Sequence, residues 1–353
     1  MNLSYVLPLL CFIFCFVFSI LTIQYCIKAQ KTCSPEIIIT ASTFLFTLIY
    51  ALPLSDTQDF ISDLNIRQYL IPFMSACILA LLYRKPINRL LKYISFIILI
   101  SSIIFGFKLD IKIFPLLSPE LNRIFGVLIW SFITLTFYIT NRLTNQINST
   151  LIMFGFSFFV LSLLGASPKI FGISALFMGG SALACFIKTD SFPKLRLSDT
   201  GADCLGFLLG YFIICSIPEY SFGSVMILMF FTIMEIVFAL IQKITFLDQF
   251  KNIQLNTACG KALSAGLPEK TILSYCFRIG LLQTIFACFQ LYGNSPYSLW
   301  FICAVIIAWQ QYRLINWQQF TLSFKETNKQ IADSVTANLS TLKKSFNKTD
   351  EKK

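Results

Sequence analysis

Long apolar stretches separated by short polar ones follow one another from the start of the chain to about residue 315. Their length, close to the roughly 20 residues that a membrane helix needs, and the lack of two-residue alternation favour helices over strands. We therefore predict an all-α polytopic membrane protein with about eleven transmembrane helices, over residues 4–25, 36–54, 69–83, 91–107, 122–140, 149–165, 169–187, 203–218, 222–242, 271–291 and 297–315. The first stretch lacks a basic leader and a small-residue cleavage site, so we expect a retained helix.

Composition narrows the class of protein further. The chain has 353 residues, of which 56% are hydrophobic and only 13% charged, so a soluble domain cannot bury its apolar surface. The net charge of +11 would suit nucleic acid. However, most Lys and Arg residues fall in alternate loops and in the tail, which is the positive-inside pattern. This pattern predicts an outside N-terminus and a cytoplasmic C-terminus, with no nucleic acid as partner.

The chain divides into a transmembrane helical domain over residues 1–317 and a cytoplasmic tail over residues 318–353. In the tail, apolar residues recur at helical spacing, at Ile331, Val335, Leu339, Leu342 and Phe346. Such a segment either forms an amphipathic helix on the inner leaflet or against a partner, or is disordered.

The chain contains no histidine, which excludes His-ligated metals and Ser-His or Cys-His nucleophile pairs. Candidate chemistry therefore depends on carboxylates. Asp199 and Asp203 are four residues apart, so a helix that begins near Asp199 places both on one face. Glu235 lies inside an apolar segment, where a charge costs about 2.5–3.5 kcal/mol. Two carboxylates with phosphate oxygens suit Mg²⁺.

Each carboxylate also has an ordinary structural explanation. Asp199 could be a helix N-cap, Asp203 a favourable charge at a helix start, and Glu235 a protonated, hydrogen-bonded group inside the bundle. These alternatives stay open at the level of sequence.

Residues 194–207 resemble the motif K-V-F-M-G-D-[AT]-G-S-x-x-x-G-F of the polyprenyl-phosphate N-acetylhexosamine-1-phosphate transferases, the family of the peptidoglycan translocase. The matching positions are Lys194, Asp199, Thr200, Gly201, Gly206 and Phe207. Residues 234–237 with 242–243 resemble the family's P-L-M-D-x-V-x-x-x-x-R-R helix, with Glu235 in place of Asp. Residues 265–267 resemble its R-A-G-F segment, and the eleven-span layout is similar.

The resemblance implies a multi-pass protein of the bacterial inner membrane whose active face is cytoplasmic. Such a protein transfers a sugar-1-phosphate from a UDP-N-acetylhexosamine to undecaprenyl phosphate during synthesis of cell-envelope polysaccharide, with Mg²⁺ as cofactor. It also allows a homodimer or a partner enzyme of the same pathway.

The resemblance also implies roles for residues of this sequence. Asp199 would be the metal ligand and, with Asp203 and Glu235, would form the catalytic set. The substrates would be bound by Lys194, Arg196, Thr200, Gly201 and Lys261.

Three family motifs are missing from the matching segments. Residues 82–85 lack the paired aspartates, residues 137–144 lack the Asp-rich segment, and residues 257–260 lack the His loop. Asn141, Asn145 or Asn148 could replace some of these groups. The alternative is therefore a catalytically inactive homologue that binds polyprenyl phosphate or a partner enzyme. A transporter or flippase is a third class, for which the sequence shows neither an internal repeat nor paired broken helices.

Overall fold

The structure is a computed structural model that describes the backbone of residues 3–28, 34–51, 66–82, 89–114, 116–141, 143, 145–189, 191–192, 195–215, 219–245, 257–293 and 298–318. Within these ranges, the side chains of residues 3–7, 51, 66–70, 81–82, 89, 219–221 and 242–245 are not described. Lys194 and nearly all of the predicted tail lie outside the described residues.

All regular secondary structure in the described residues is helical. The helices are α1 (Leu3–Lys28), α2 (Pro35–Ala51), α3 (Ile66–Leu82), α4 (Arg89–Gly106), α5 (Pro119–Thr140), α6 (Gln146–Leu163), α7 (Lys169–Thr189), α8 (Asp199–Ile214), α9 (Glu219–Ile227), α10 (Phe230–Thr245), α11 (Ala258–Ser264), α12 (Glu269–Leu291) and α13 (Trp300–Ile315). Each apolar stretch of the sequence corresponds to a helix or, in one case, to a pair of helices.

Several of these helices can cross a membrane. By length and composition, the described residues contain five such helices, over Pro8–Lys28, Pro119–Thr140, Gln146–Leu163, Lys169–Thr189 and Glu269–Leu291. Five shorter apolar helices accompany them, over Pro35–Tyr50, Ile71–Ala80, Leu90–Gly106, Phe230–Ile241 and Trp300–Ile315. The chain is thus an all-α multi-pass membrane protein, while the count of eleven spans and the orientation stay predictions.

The predicted ninth span is not one continuous helix. The segment 222–242 breaks at a turn over residues 228–229, which separates α9 from α10. Residues on both sides of the break are apolar, so the hydropathy pattern that predicted a single helix gives no sign of it. The expectation of one uninterrupted helix there is wrong.

The centre of the bundle is the pair α6 and α7, which approach closely because both carry glycines. A Cβ on Gly155 would lie 2.3 Å from the carbonyl oxygen of Ala175. Helices α1 and α2 pack on the same helix α7 through small polar side chains. The Ser19 hydroxyl lies 3.2 Å from both the Ser42 and the Ser181 hydroxyls. Small residues and hydroxyls are the usual means by which membrane helices associate.

Helix α8 is held by α5 over most of its length. The Trp130 indole N–H donates to the Phe207 carbonyl at 2.7 Å, and the indole lies so close to Gly210 that a Cβ there would be 2.4 Å from it. Trp130 is fully buried. This contact fixes α8 along the bundle and thereby fixes the position of its polar first turn.

Candidate functional site

Helix α8 begins at Asp199, as the predicted carboxylate face requires. The N-cap is Ser198, whose hydroxyl accepts from the Gly201 N–H at 2.9 Å. The alternative in which Asp199 is the N-cap is therefore wrong. Asp199 is the first residue of the helix and its side chain is exposed, whereas Asp203 lies one turn further in and is fully buried.

The buried Asp203 forms an ion pair with Lys92 near the start of α4. The side chains of Lys92 and Asp203 are only 11% and 1% exposed, and the Lys92 ammonium also donates to the Thr200 hydroxyl at 3.2 Å. Two opposite charges out of water stabilise each other only when they stay together. Asp203 is therefore more than a favourable charge at a helix start: it is half of a buried ion pair that joins α4 to α8.

Glu36, in the first turn of α2, brings a third carboxylate to the start of α8. The Ser198 hydroxyl donates to Glu36 Oε1 at 3.2 Å, and Glu36 is buried. The carboxyl group lies against the backbone of Gly201, where a Cβ would be 2.8 Å from Glu36 Cδ. Glycine at position 201 thus makes room for this acid. Sequence reasoning missed Glu36, although an acid at the edge of an apolar segment was a usable signal.

Asn141, at the C-cap of α5, completes the set. Its amide donates to Asp199 Oδ1 at 3.1 Å and to the Leu197 carbonyl at 3.3 Å. Of the three asparagines that were open as replacements for lost family groups, this one reaches the predicted metal ligand. Asn145 instead donates to the Phe186 carbonyl at 3.5 Å and accepts from Asn148 at 3.1 Å.

The first turns of α2, α4 and α8 and the C-terminal end of α5 therefore meet in one polar region. We call this region the α8 mouth and define it by Glu36, Lys92, Asn141, Asp199 and Asp203. Arg196, just before the helix, is exposed beside it. The mouth as defined thus holds three carboxylates and one buried lysine.

The donor set of the α8 mouth fits Mg²⁺ only in part. The described residues contain no group of three or more His, Cys, Asp or Glu side chains placed to hold a metal. Mg²⁺ commonly binds through one or two carboxylates while substrate phosphates and water supply the other ligands. Asp199 fits such a role because it is exposed at the mouth. Asp203 fits it less well because Lys92 already neutralises its charge.

Two other predicted site residues lie around the short helix α11. The fully buried Glu235 of α10 accepts from the Cys259 N–H at 3.3 Å, through Oε1. Lys261 of α11 is half-buried, and this burial lowers the pKa of its ammonium group. The contacts of Glu235 are thus with α11, whereas those of Asp199 and Asp203 are with α5 and α4.

Comparison with protein-family models gives no match, and comparison with curated protein sequences gives none. The resemblance of residues 194–207 to the sugar-phosphate transferases therefore stays a prediction.

Proposed function

We propose that the protein transfers a sugar-1-phosphate from a UDP-N-acetylhexosamine to undecaprenyl phosphate at the cytoplasmic face of a bacterial inner membrane. The observation that carries the proposal is the α8 mouth. Carboxylates from α2 and α8, a lysine from α4 and an amide from α5 meet at the segment that resembles the family's metal-binding motif.

The proposed reaction is a phosphoryl transfer. An oxygen of the lipid phosphate attacks the β-phosphorus of the UDP-sugar, the bond from this phosphorus to the bridging oxygen breaks, and UMP leaves. Both substrates are anions, so positioning and neutralisation of charge dominate catalysis. Mg²⁺, when bound, would neutralise part of the phosphate charge.

The residues of the α8 mouth divide these tasks. Asp199 would hold the metal, and the Asn141 amide would fix the orientation of its carboxylate. Asp203 acts by positioning Lys92, whose ammonium lies at the Thr200 hydroxyl. Gly201 lets the chain pass close to Glu36. Arg196 would attract the phosphates of the nucleotide.

Three predicted residues would contribute from outside the mouth. Lys194, which precedes α8 in the sequence, would attract the nucleotide phosphates. Lys261 would contact substrate from α11, and Glu235 would support the site by fixing the first turn of that helix.

The second candidate is a catalytically inactive homologue that binds polyprenyl phosphate or a partner enzyme of the same pathway. The observation that favours it is the Lys92–Asp203 ion pair. This pair uses the charge of one carboxylate that a metal site would need, and it leaves Asp199 with only Glu36 as a further acid in the mouth.

Release of UMP tests the proposal. Purified full-length protein in detergent is incubated with Mg²⁺, UDP-N-acetylglucosamine and undecaprenyl phosphate. We expect UMP to accumulate, and we expect Asp199→Asn to reduce the rate at least about 100-fold, since loss of one charge-stabilising group typically costs that much. Asp110→Asn is the matched control, because Asp110 is an exposed acid in a different loop.

The two candidates give different results in this assay. Absence of UMP with UDP-N-acetylglucosamine and with UDP-N-acetylgalactosamine, together with retained binding of undecaprenyl phosphate, would support the inactive homologue. An equal loss of activity in both variants would remove Asp199 from the mechanism. Absence of both activity and lipid binding would overturn both candidates.

A further inference from the structure

The exposed face of α12 changes from polar to apolar within the helix. At the four-, four-, three-, four- and four-residue steps of one helical face, the exposed residues are Lys270, Ser274, Arg278, Leu281, Ile285 and Phe289. Because α12 is long and apolar enough to cross a membrane, the apolar part of this face meets lipid. Arg278 therefore lies at the boundary between the lipid-facing part of α12 and its polar start.

The exposed face of α13 shows the same change in the reverse direction. Ile302 and Val305 are exposed apolar residues, and Trp309, Tyr312 and Arg313 are the exposed residues that follow toward the end of the helix. The rings of Trp309 and Tyr312 stack with their centroids 5.8 Å apart. Trp and Tyr are enriched where a membrane helix passes the lipid headgroups. The aromatic pair therefore marks this end of α13 as the level of the headgroups, with Arg313 beside it.

One contact brings these two boundaries together. The Tyr275 hydroxyl of α12 donates to the Gln310 carbonyl of α13 at 3.2 Å. Arg278 follows Tyr275 by three residues and Arg313 follows Gln310 by three, so each arginine lies within one turn of this contact. Arg313 also interacts electrostatically with the Tyr275 hydroxyl. We call this region the α12–α13 basic surface and define it by Arg278, Trp309, Tyr312 and Arg313.

The charges around this surface are almost all positive. Residues 257–318 contain Lys261, Lys270, Arg278 and Arg313, and their single acid is Glu269. Within the part of the chain that the structure describes, Arg278 forms no ion pair. A guanidinium beside lipid is tolerated when its head reaches water or an anion at the interface. The charge that is missing from the protein here is therefore negative, and it belongs at the level of the headgroups.

We propose that the α12–α13 basic surface binds an anionic phospholipid. Arg278 and Arg313 bind the phosphate of its headgroup, and its acyl chains lie along the exposed apolar faces that begin at Leu281 and Val305. Basic surfaces between membrane helices bind anionic headgroups on the cytoplasmic side, to which the positive-inside pattern assigns this end of the bundle. This site is separate from the α8 mouth and does not depend on the proposed function.

Native mass spectrometry of the purified full-length protein tests the inference. The protein in detergent is titrated with dioleoyl phosphatidylglycerol and, separately, with dioleoyl phosphatidylcholine, which has the same chains and no net charge. We expect phosphatidylglycerol to bind at least about 10-fold more tightly, because two arginines attract its charge. Arg278→Gln and Arg313→Gln should each weaken its binding about 5-fold, the usual effect of one cation at a membrane surface. Arg278→Lys keeps the charge and should retain binding to within about 2-fold.

Lys169→Gln is the matched control, because Lys169 is an exposed cation at the first residue of another helix that can cross a membrane. It should bind phosphatidylglycerol like the unchanged protein. Equal binding of the two lipids, or full affinity in both Arg→Gln variants, would overturn the inference. An equal loss in the Lys169 variant, or in Arg278→Lys, would count against the site. A dimer of the unchanged protein that Arg278→Gln dissociates would show that a second copy covers this surface, and would also overturn it.

Discussion

The Lys92–Asp203 pair shows how a membrane protein can keep charges in its interior. A single buried charge has no water to solvate it, so its partner largely decides whether it is tolerated. Each member of this pair lies on a different helix, which means that the pair also ties the start of α4 to the start of α8. Stability and position of the α8 mouth thus depend on the same two side chains.

Breaking this pair should destabilise the protein strongly. We expect Lys92→Met to cost about 3–5 kcal/mol, because it leaves the Asp203 carboxylate buried without its counter-charge. The double variant Lys92→Met with Asp203→Asn should recover most of that loss. Thermal unfolding of the purified protein, followed by tryptophan fluorescence, measures Lys92→Met, Asp203→Asn and the double variant.

The surface pair of Lys112 and Asp110 provides the control for this comparison of single and double variants. Its side chains are 55% and 67% exposed and 3.4 Å apart, so water screens the interaction. Lys112→Met should leave the unfolding midpoint unchanged. Strictly additive effects of the Lys92 and Asp203 changes would show that the two groups do not interact in the folded protein.

At the scale of elements, glycine positions decide how closely helices approach. Between α6 and α7 the missing Cβ of Gly155 leaves space that the backbone of Ala175 occupies. Backbone cannot rotate away as a side chain can, so this contact fixes the distance between the two helices.

Gly155→Ala should therefore force α6 and α7 apart. We expect a loss of about 1–3 kcal/mol, the usual cost of overpacking. Gly106→Ala, at the end of α4, is the control, since a Cβ there would meet nothing within 4 Å. Equal unfolding midpoints for the two variants would mean that the α6–α7 contact is looser than described.

At the scale of the whole molecule, the described helix ends that bear Glu36, Lys92, Asn141 and Asp199 all meet in one region. This is the face that the positive-inside pattern assigns to the cytoplasm. The orientation is therefore a property on which the proposed function depends, because UDP-sugars are made in the cytoplasm.

Reporter fusions test this orientation. Green fluorescent protein fused after residue 353 should fluoresce, as it does on the cytoplasmic side, and alkaline phosphatase inserted near residue 60 should be active, as it is on the outer side. The exchanged fusions serve as controls and should both be silent. The reverse pattern would place the α8 mouth outside and would rule out a cytoplasmic sugar nucleotide as its substrate.

The sequence by itself determined where the helices lie, because hydropathy is a local property of about 20 consecutive residues. It also identified the start of α8 as polar, since Asp199, Thr200 and Gly201 are adjacent in the chain. The sequence did not predict the break at residues 228–229, because the apolar segment around the turn contains no Pro and no adjacent Gly.

Only the tertiary structure decided what each polar group contacts. Lys92 meets Thr200 across 108 residues, Asn141 meets Asp199 across 58, and Glu36 meets Ser198 across 162. No spacing rule covers such distances, because the packing of the helices sets which ends come together. The same packing gave Asp203 a lysine and Glu235 a backbone amide.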